Sequence, residues 1–223
     1  DVVDFDGTRY AKGSSLWAGQ HNAEYFGDDE YCMFDNQYDS GNNSRLLCVV
    51  LDEGEGYAYL SWEYDVGDYS PHFGDNDRLP TGNMLGCYWP MYQYADADQF
   101  DERALEVTRP GGETAWQLDV KGAKCDESEC KRAAGSGWTF YSIERFYTAP
   151  LLYNITCAAG QLTFSTHNNF KQSDASEAHY EVTSGDSKVA SGTFYFTPHW
   201  RDTLVAVDVV GTIGEVDVTV RNT

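Results

Sequence analysis

Residues 57–66, Tyr57-Ala58-Tyr59-Leu60-Ser61-Trp62-Glu63-Tyr64-Asp65-Val66, alternate in polarity with a period of two. An extended strand puts successive side chains on opposite faces, whereas a helix would need apolar residues every three or four positions. The pattern therefore predicts a half-buried strand with Ala58, Leu60, Trp62, Tyr64 and Val66 inward. Tyr57, Tyr59, Ser61, Glu63 and Asp65 fall on the opposite side.

Working outward, the same reading marks strands at 45–52, 104–108, 115–120, 138–147, 161–166, 178–183, 192–197, 203–210 and 215–221. These runs are rich in β-branched or aromatic residues and bounded by Gly, Asn, Asp or Pro. Gly211-Thr212-Ile213-Gly214, between two valine-alternating runs, reads as a hairpin turn. A short helix fits 97–104, and 67–77 and 124–137 read as long loops. About ten short strands without a fixed-period repeat predict an all-β fold, a single-domain antiparallel β-sandwich or jelly roll spanning 1–223. A β-barrel or a small propeller is the alternative.

The chain holds 36 acidic and 15 basic residues, a net charge of -21. A negative field of this size opposes phosphate backbones and anionic headgroups, so nucleic acid is not an expected partner. Membrane insertion is not expected either, because no apolar run approaches the ~20 residues of a span. Six cysteines, Cys32, Cys48, Cys87, Cys125, Cys130 and Cys157, lack zinc-finger spacing and read as three disulfides, with Cys125–Cys130 the local pair. Sequons at Asn42 and Asn154 agree with a secreted glycoprotein. The start at Asp1 reads as a mature N-terminus after leader removal. Halophilic adaptation is the rival account of the acidity.

The polar face of 57–66 carries the first candidate site. Tyr57 and Tyr59, with Trp89 and Tyr92 from the aromatic run 87–94, would stack on the C–H faces of sugar rings. Glu63 and Asp65 would accept hydroxyl hydrogen bonds or act in glycoside hydrolysis, with Glu144, Glu106 or Glu181 as the second carboxylate. The same face is also what the solvated side of an antiparallel sheet looks like. A second set, His199 and Arg145 with a tyrosine, carries the ingredients for proton abstraction and carboxylate stabilisation in a lyase. Asp96, Asp98 and Asp101 offer hard oxygen ligands suited to Ca²⁺; no other cofactor is expected.

Motifs for acyl, phosphoryl or nicotinamide chemistry are absent. The leading reading is a secreted, disulfide-bonded protein that binds or processes a neutral glycan in an aromatic- and carboxylate-lined groove. Two alternatives stand beside it. One is a cofactor-free lyase, cyclase or isomerase with a Tyr/His/Arg pocket, its ligand a carbohydrate or small molecule. The other is a non-enzymatic secreted effector or surface interaction protein. Whether the chain is an enzyme is not decided by its residues.

Overall fold

The computed structural model describes residues 2–10, 16–89, 102–120, 140–209 and 214–223, with the backbone of Lys124–Cys125 and Cys130–Lys131. The fold is all-β: no helix occurs among the described residues, and no sheet closes into a barrel. Among the described residues, no helix is long and apolar enough to cross a membrane. The chain divides into two compact units, Asp1–Glu144 and Arg145–Thr223.

The first unit contains β1 (Val2–Val3), β2 (Arg9–Tyr10), β3 (His21–Tyr25), β4 (Glu30–Asp35), β5 (Arg45–Asp52) and β6 (Tyr57–Asp65). It continues with β7 (Asp75–Arg78), β8 (Met84–Tyr88), β9 (Glu102–Val107), β10 (Thr114–Val120), β11 (Lys124–Cys125) and β12 (Cys130–Lys131). One sheet runs β2-β1-β6-β5-β4-β3 and a second runs β10-β9-β8-β7. Neighbouring strands are antiparallel except β1 and β6. Phe34, Leu46, Cys48 and Trp62 of the first sheet meet Met84, Tyr88, Leu105 and Val107 of the second in one buried cluster. This is a sandwich interior.

Two glycines let the layers approach. A Cβ at Gly86 would lie 2.6 Å from Leu46 Cδ2, and one at Gly74 would lie 2.3 Å from the Phe34 ring. Gly74 also has φ +115°, which other residues rarely adopt.

The central strand β5 is apolar on both faces, and the fold uses both. Leu46 and Cys48 enter the sandwich interior, while Leu47 and Val49 join Met33 and Leu60 in a separate cluster capped by Leu16 and Trp17. The predicted alternation of β6 is corrected here. Cys48 pairs with Trp62 but Val49 pairs with Leu60, so Ser61 is an extra residue in a β-bulge. Leu60 and Trp62 are both buried, yet on opposite faces of the sheet.

The second unit contains β13 (Leu151–Ala158), β14 (Gln161–His167), β15 (Ser176–Ser184), β16 (Ser187–Phe196), β17 (Thr203–Asp208) and β18 (Asp217–Asn222). Two three-stranded sheets, β13-β14-β17 and β16-β15-β18, share one core. In it Leu162, Phe164, Val205 and Val207 meet Ala178, Val182, Phe196 and Val220. Of the hairpin expected around 211–214, residues 211–213 lie outside the described residues, and the strands on either side pair elsewhere: β17 with β14 and β18 with β15, in different sheets.

Other differences follow from tertiary hydrogen bonding overriding local preference. Asp75-Asn76-Asp77, expected in a loop, is the buried strand β7. The Ile143 amide donates to Asp75 (2.8 Å), and the Asn76 side-chain amide donates to the Met33 and Leu47 carbonyls (both 3.1 Å). Residues 140–147, expected as strand, instead form an irregular segment whose Phe140 and Ile143 amides serve Glu102 and Asp75. Residues 102–104 of the expected helix belong to β9, and 97–101 lie outside the described residues.

Cys32 and Cys48 face each other across β4 and β5 and form a disulfide. The three-bridge expectation is corrected at Cys87, buried in β8, and at Cys157, exposed in β13: both are free thiols. Burial, with the charges of Asp75, Glu102 and Asp77 adding to it, pushes the Cys87 thiol far above its ordinary value. Cys125 and Cys130 stand opposite each other in the β11–β12 ladder, but their side chains lie outside the described residues.

Candidate functional site

At one end of the first unit, the loops 36–44 and 66–74 are clamped together by buried polar side chains. The Ser44 hydroxyl donates to the Asn36 carbonyl (2.9 Å) and accepts from the Ser70 amide (2.8 Å). Asn36 donates to the carbonyls of Ser70 (2.7 Å) and Phe73 (2.9 Å), and its oxygen contacts His21 Nδ1 at 2.7 Å. Buried groups satisfied in this way fix loop geometry as firmly as strand pairing does.

Beside them Arg45 bridges two carboxylates, Asp35 at 2.9 Å and Glu63 at 2.6 Å, and also donates to the Leu16 carbonyl. Asp65 accepts from the Gly67 amide at 2.7 Å and so shapes the turn into the second loop.

Two adjoining hollows open beside loop 36–44, the larger against the ends of β5 and β6 and the smaller against loop 66–74. The larger, about 790 Å³, is lined by Gln37, Asn42, Asn43, Arg45, Glu63 and Asp65, with Tyr64 at its side. The smaller, about 430 Å³, shares Asn42 and Asn43 and adds Asp39, Asp68 and Tyr69. Side-chain amides, carboxylates, one guanidinium and tyrosine rings make a surface that both donates and accepts hydrogen bonds. Such a lining suits an uncharged, hydroxyl-rich ligand better than an apolar one.

Across loop 66–74 lies a row of rings. Trp89 stacks on His72 (15° between planes), His72 neighbours Phe73, and Phe73 contacts the exposed Tyr141 at 5.4 Å.

The structure brings some expected site residues together and separates others. Glu63 and Asp65 line one hollow. Tyr57 and Tyr59 lie on the other face of the sheet, because the Ser61 bulge reverses the alternation between them and Glu63. Tyr57 is engaged by Arg9, whose guanidinium sits 4.2 Å from its ring centre. Trp89 belongs to the ring row, and Tyr92 lies outside the described residues.

The proposed second carboxylates do not join Glu63. Glu106 accepts from Asn83 (2.7 Å), and Glu181 of the second unit pairs with Lys188 (2.5 Å). Glu144 groups with Glu24 and Asp77, their oxygens within 4.8 Å of one another, an arrangement of hard ligands that could hold a cation. Asp96, Asp98 and Asp101, the expected Ca²⁺ ligands, lie outside the described residues.

Arg145 and His199 belong to the second unit; His199 has a left-handed backbone (φ 57°), and its amide donates to the Gln172 carbonyl. The tyrosine–histidine pairing of that unit is a different one. Tyr153 contacts His167 Nε2 at 2.8 Å and donates to Asp202, with its ring stacked on the imidazole. Burial, then the Asp202 carboxylate, pushes the Tyr153 hydroxyl well above its ordinary value, which disfavours the tyrosinate a lyase base requires.

Sequence reasoning missed Gln37, Asp39, Asn43, Arg45, Asp68 and Tyr69 as lining residues. The polar loops that carry them were visible, but their convergence depends on Asn36 and Ser44, two unremarkable polar residues. The chain matches no protein-family model, no curated protein and no solved structure.

Proposed function

We propose that this chain is a secreted protein that binds a neutral glycan, without cleaving it, in the paired hollows beside loop 36–44. The observation that carries this reading is the lining itself: amides, carboxylates and Tyr64 and Tyr69 around about 790 and 430 Å³ of open space. Sugar hydroxyls each donate and accept, so Asn and Asp side chains meet them efficiently, while tyrosine rings cover C–H faces. Binding is favoured over hydrolysis because both carboxylates of the larger hollow are already engaged, Glu63 by Arg45 and Asp65 by the Gly67 amide, rather than poised over open space. The Cys32–Cys48 disulfide supports an oxidising, extracellular location.

Calorimetric titration with neutral oligosaccharides tests this. Asn43→Ala and Asp68→Ala should each weaken binding about tenfold, or ~1.4 kcal/mol. Tyr59→Ala, on the other face, should change nothing. Asn42 is both a lining residue and a sequon asparagine, so a glycan attached there would occupy the larger hollow. Protein carrying that glycan should bind less than Asn42→Gln protein. Unaltered binding in Asn43→Ala and Asp68→Ala would remove these hollows from consideration and leave a surface interaction protein as the better reading.

A further inference from the structure

The excess acid of this chain is unevenly shared. Residues 1–144 hold 28 acidic and 10 basic groups, and residues 145–223 hold 8 and 5. Within the second unit, the outer face of the β16-β15-β18 sheet gathers cationic and hydroxyl side chains. Ala178, Val182 and Val220 point into the core, so the odd-numbered residues of both β15 and β18 form the opposite face. Register then fixes two rows across it: Thr193, His179 and Arg221, and next to them Ser191, Glu181 and Thr219. Lys188 reaches over the second row to Glu181 at 2.5 Å. These side chains enclose a hollow of about 300 Å³.

The charges in that hollow do not cancel. Glu181 is taken up by Lys188, whereas the exposed Arg221 side chain has no hydrogen bond or ion pair among the described residues. An arginine left without a carboxylate, in a chain with more than twice as many acids as bases, is the anomaly. A guanidinium presents a planar fork that matches carboxylate and sulfate oxygens two at a time. Hydroxyls of Thr193, Ser191 and Thr219 stand on the same face to meet the rest of a ligand.

We infer that this groove binds a monosaccharide-sized, hydroxyl-bearing ligand with a single oxyanion, held by Arg221. Its volume sits at the low end of small-ligand sites, enough for one sugar ring. A single negative charge is favoured over a polyanion, because a chain of net charge -21 opposes the approach of extended negative ligands. A carboxylate, as in a sugar acid, and a sulfate ester share this chemistry. The groove lies in the second unit, so this inference does not depend on the neutral-glycan reading of the first.

The test is amide NMR titration of the intact chain at low salt with glucuronate, with glucose 6-sulfate and with glucose. One or both anions should shift the amides of His179, Thr193 and Arg221, and glucose should not; the anion that acts identifies the source of the oxyanion. Arg221→Gln should weaken binding about tenfold while the melting temperature stays unchanged. Glu181→Gln, which removes a competing acceptor and releases Lys188, should tighten binding several-fold, a result that a merely structural role for Arg221 would not give. No shift with either anion, an equal response to glucose, or equal affinity in Arg221→Gln would overturn the proposal.

Discussion

Glu30 shows how single residues decide this fold. It is buried in β4, yet three groups converge on it: Arg109 through both guanidinium nitrogens, Arg78 at 3.2 Å, and the Ser61 hydroxyl at 3.0 Å. Burial pushes its carboxyl up, but the hydrogen bonds and charge of Arg109, with Ser61 and Arg78, outweigh burial and hold it below the ordinary value of 4.5. A depressed acid contributes stability above its unfolded value and loses it as pH falls through the folded one. Glu30→Gln should therefore cost about 3 kcal/mol near neutral pH, the scale of a broken buried pair, and the deficit should shrink below pH ~4. Urea unfolding of both proteins at the two pH values checks this. Asp75 has the opposite sign: burial raises its carboxyl, so its contribution is greatest in acid and is lost as pH rises through that raised value.

At the scale of elements, β4 and β5 are joined covalently as well as by their ladder. The Cys32–Cys48 bridge closes a separation of 16 residues, which restricts the unfolded chain by about 3 kcal/mol. The Cys32→Ala/Cys48→Ala pair should lower the melting temperature accordingly, and reduction should reproduce the effect in the parent protein. Equal stability in the double variant would show that the ladder alone holds these strands.

Much of this architecture was legible in the residues. Arg45–Asp52 and the strand from Tyr57 were read within a residue of their ends, because apolar runs and alternation survive whatever packs on them. The Ser61 bulge was not legible. Nothing in the residues around Ser61 distinguishes an extra residue from one more alternation, and that one residue moved Tyr57 and Tyr59 away from Glu63. Strand β7 was hidden because Asp-Asn-Asp is a turn signal in isolation, and only amides distant in sequence make it tolerable in a sheet. The candidate site was half legible: Glu63 and Asp65 were, the loop residues, Asp39 and Asp68 among them, were not.

For the whole molecule, two units of very different charge density share one chain, with net charges of -18 over residues 1–144 and -3 over residues 145–223. Like-charge repulsion weakens with salt as the Debye length contracts. Calorimetry should therefore resolve two transitions, and raising salt from about 0.05 to about 0.5 M should shift one of them upward and leave the other nearly still. A single salt-independent transition would instead speak for one cooperative domain over residues 1–223.

The function proposed for this molecule rests on the hollows beside Asn42 and Asn43. The most direct measurement is amide NMR on the intact protein titrated with a neutral oligosaccharide. The account predicts shifts at Asn42, Asn43, Asp68 and Tyr69, with Tyr57 and Tyr59 silent. Saturating shifts confined to Tyr57 and Tyr59, or none at either place, would contradict it.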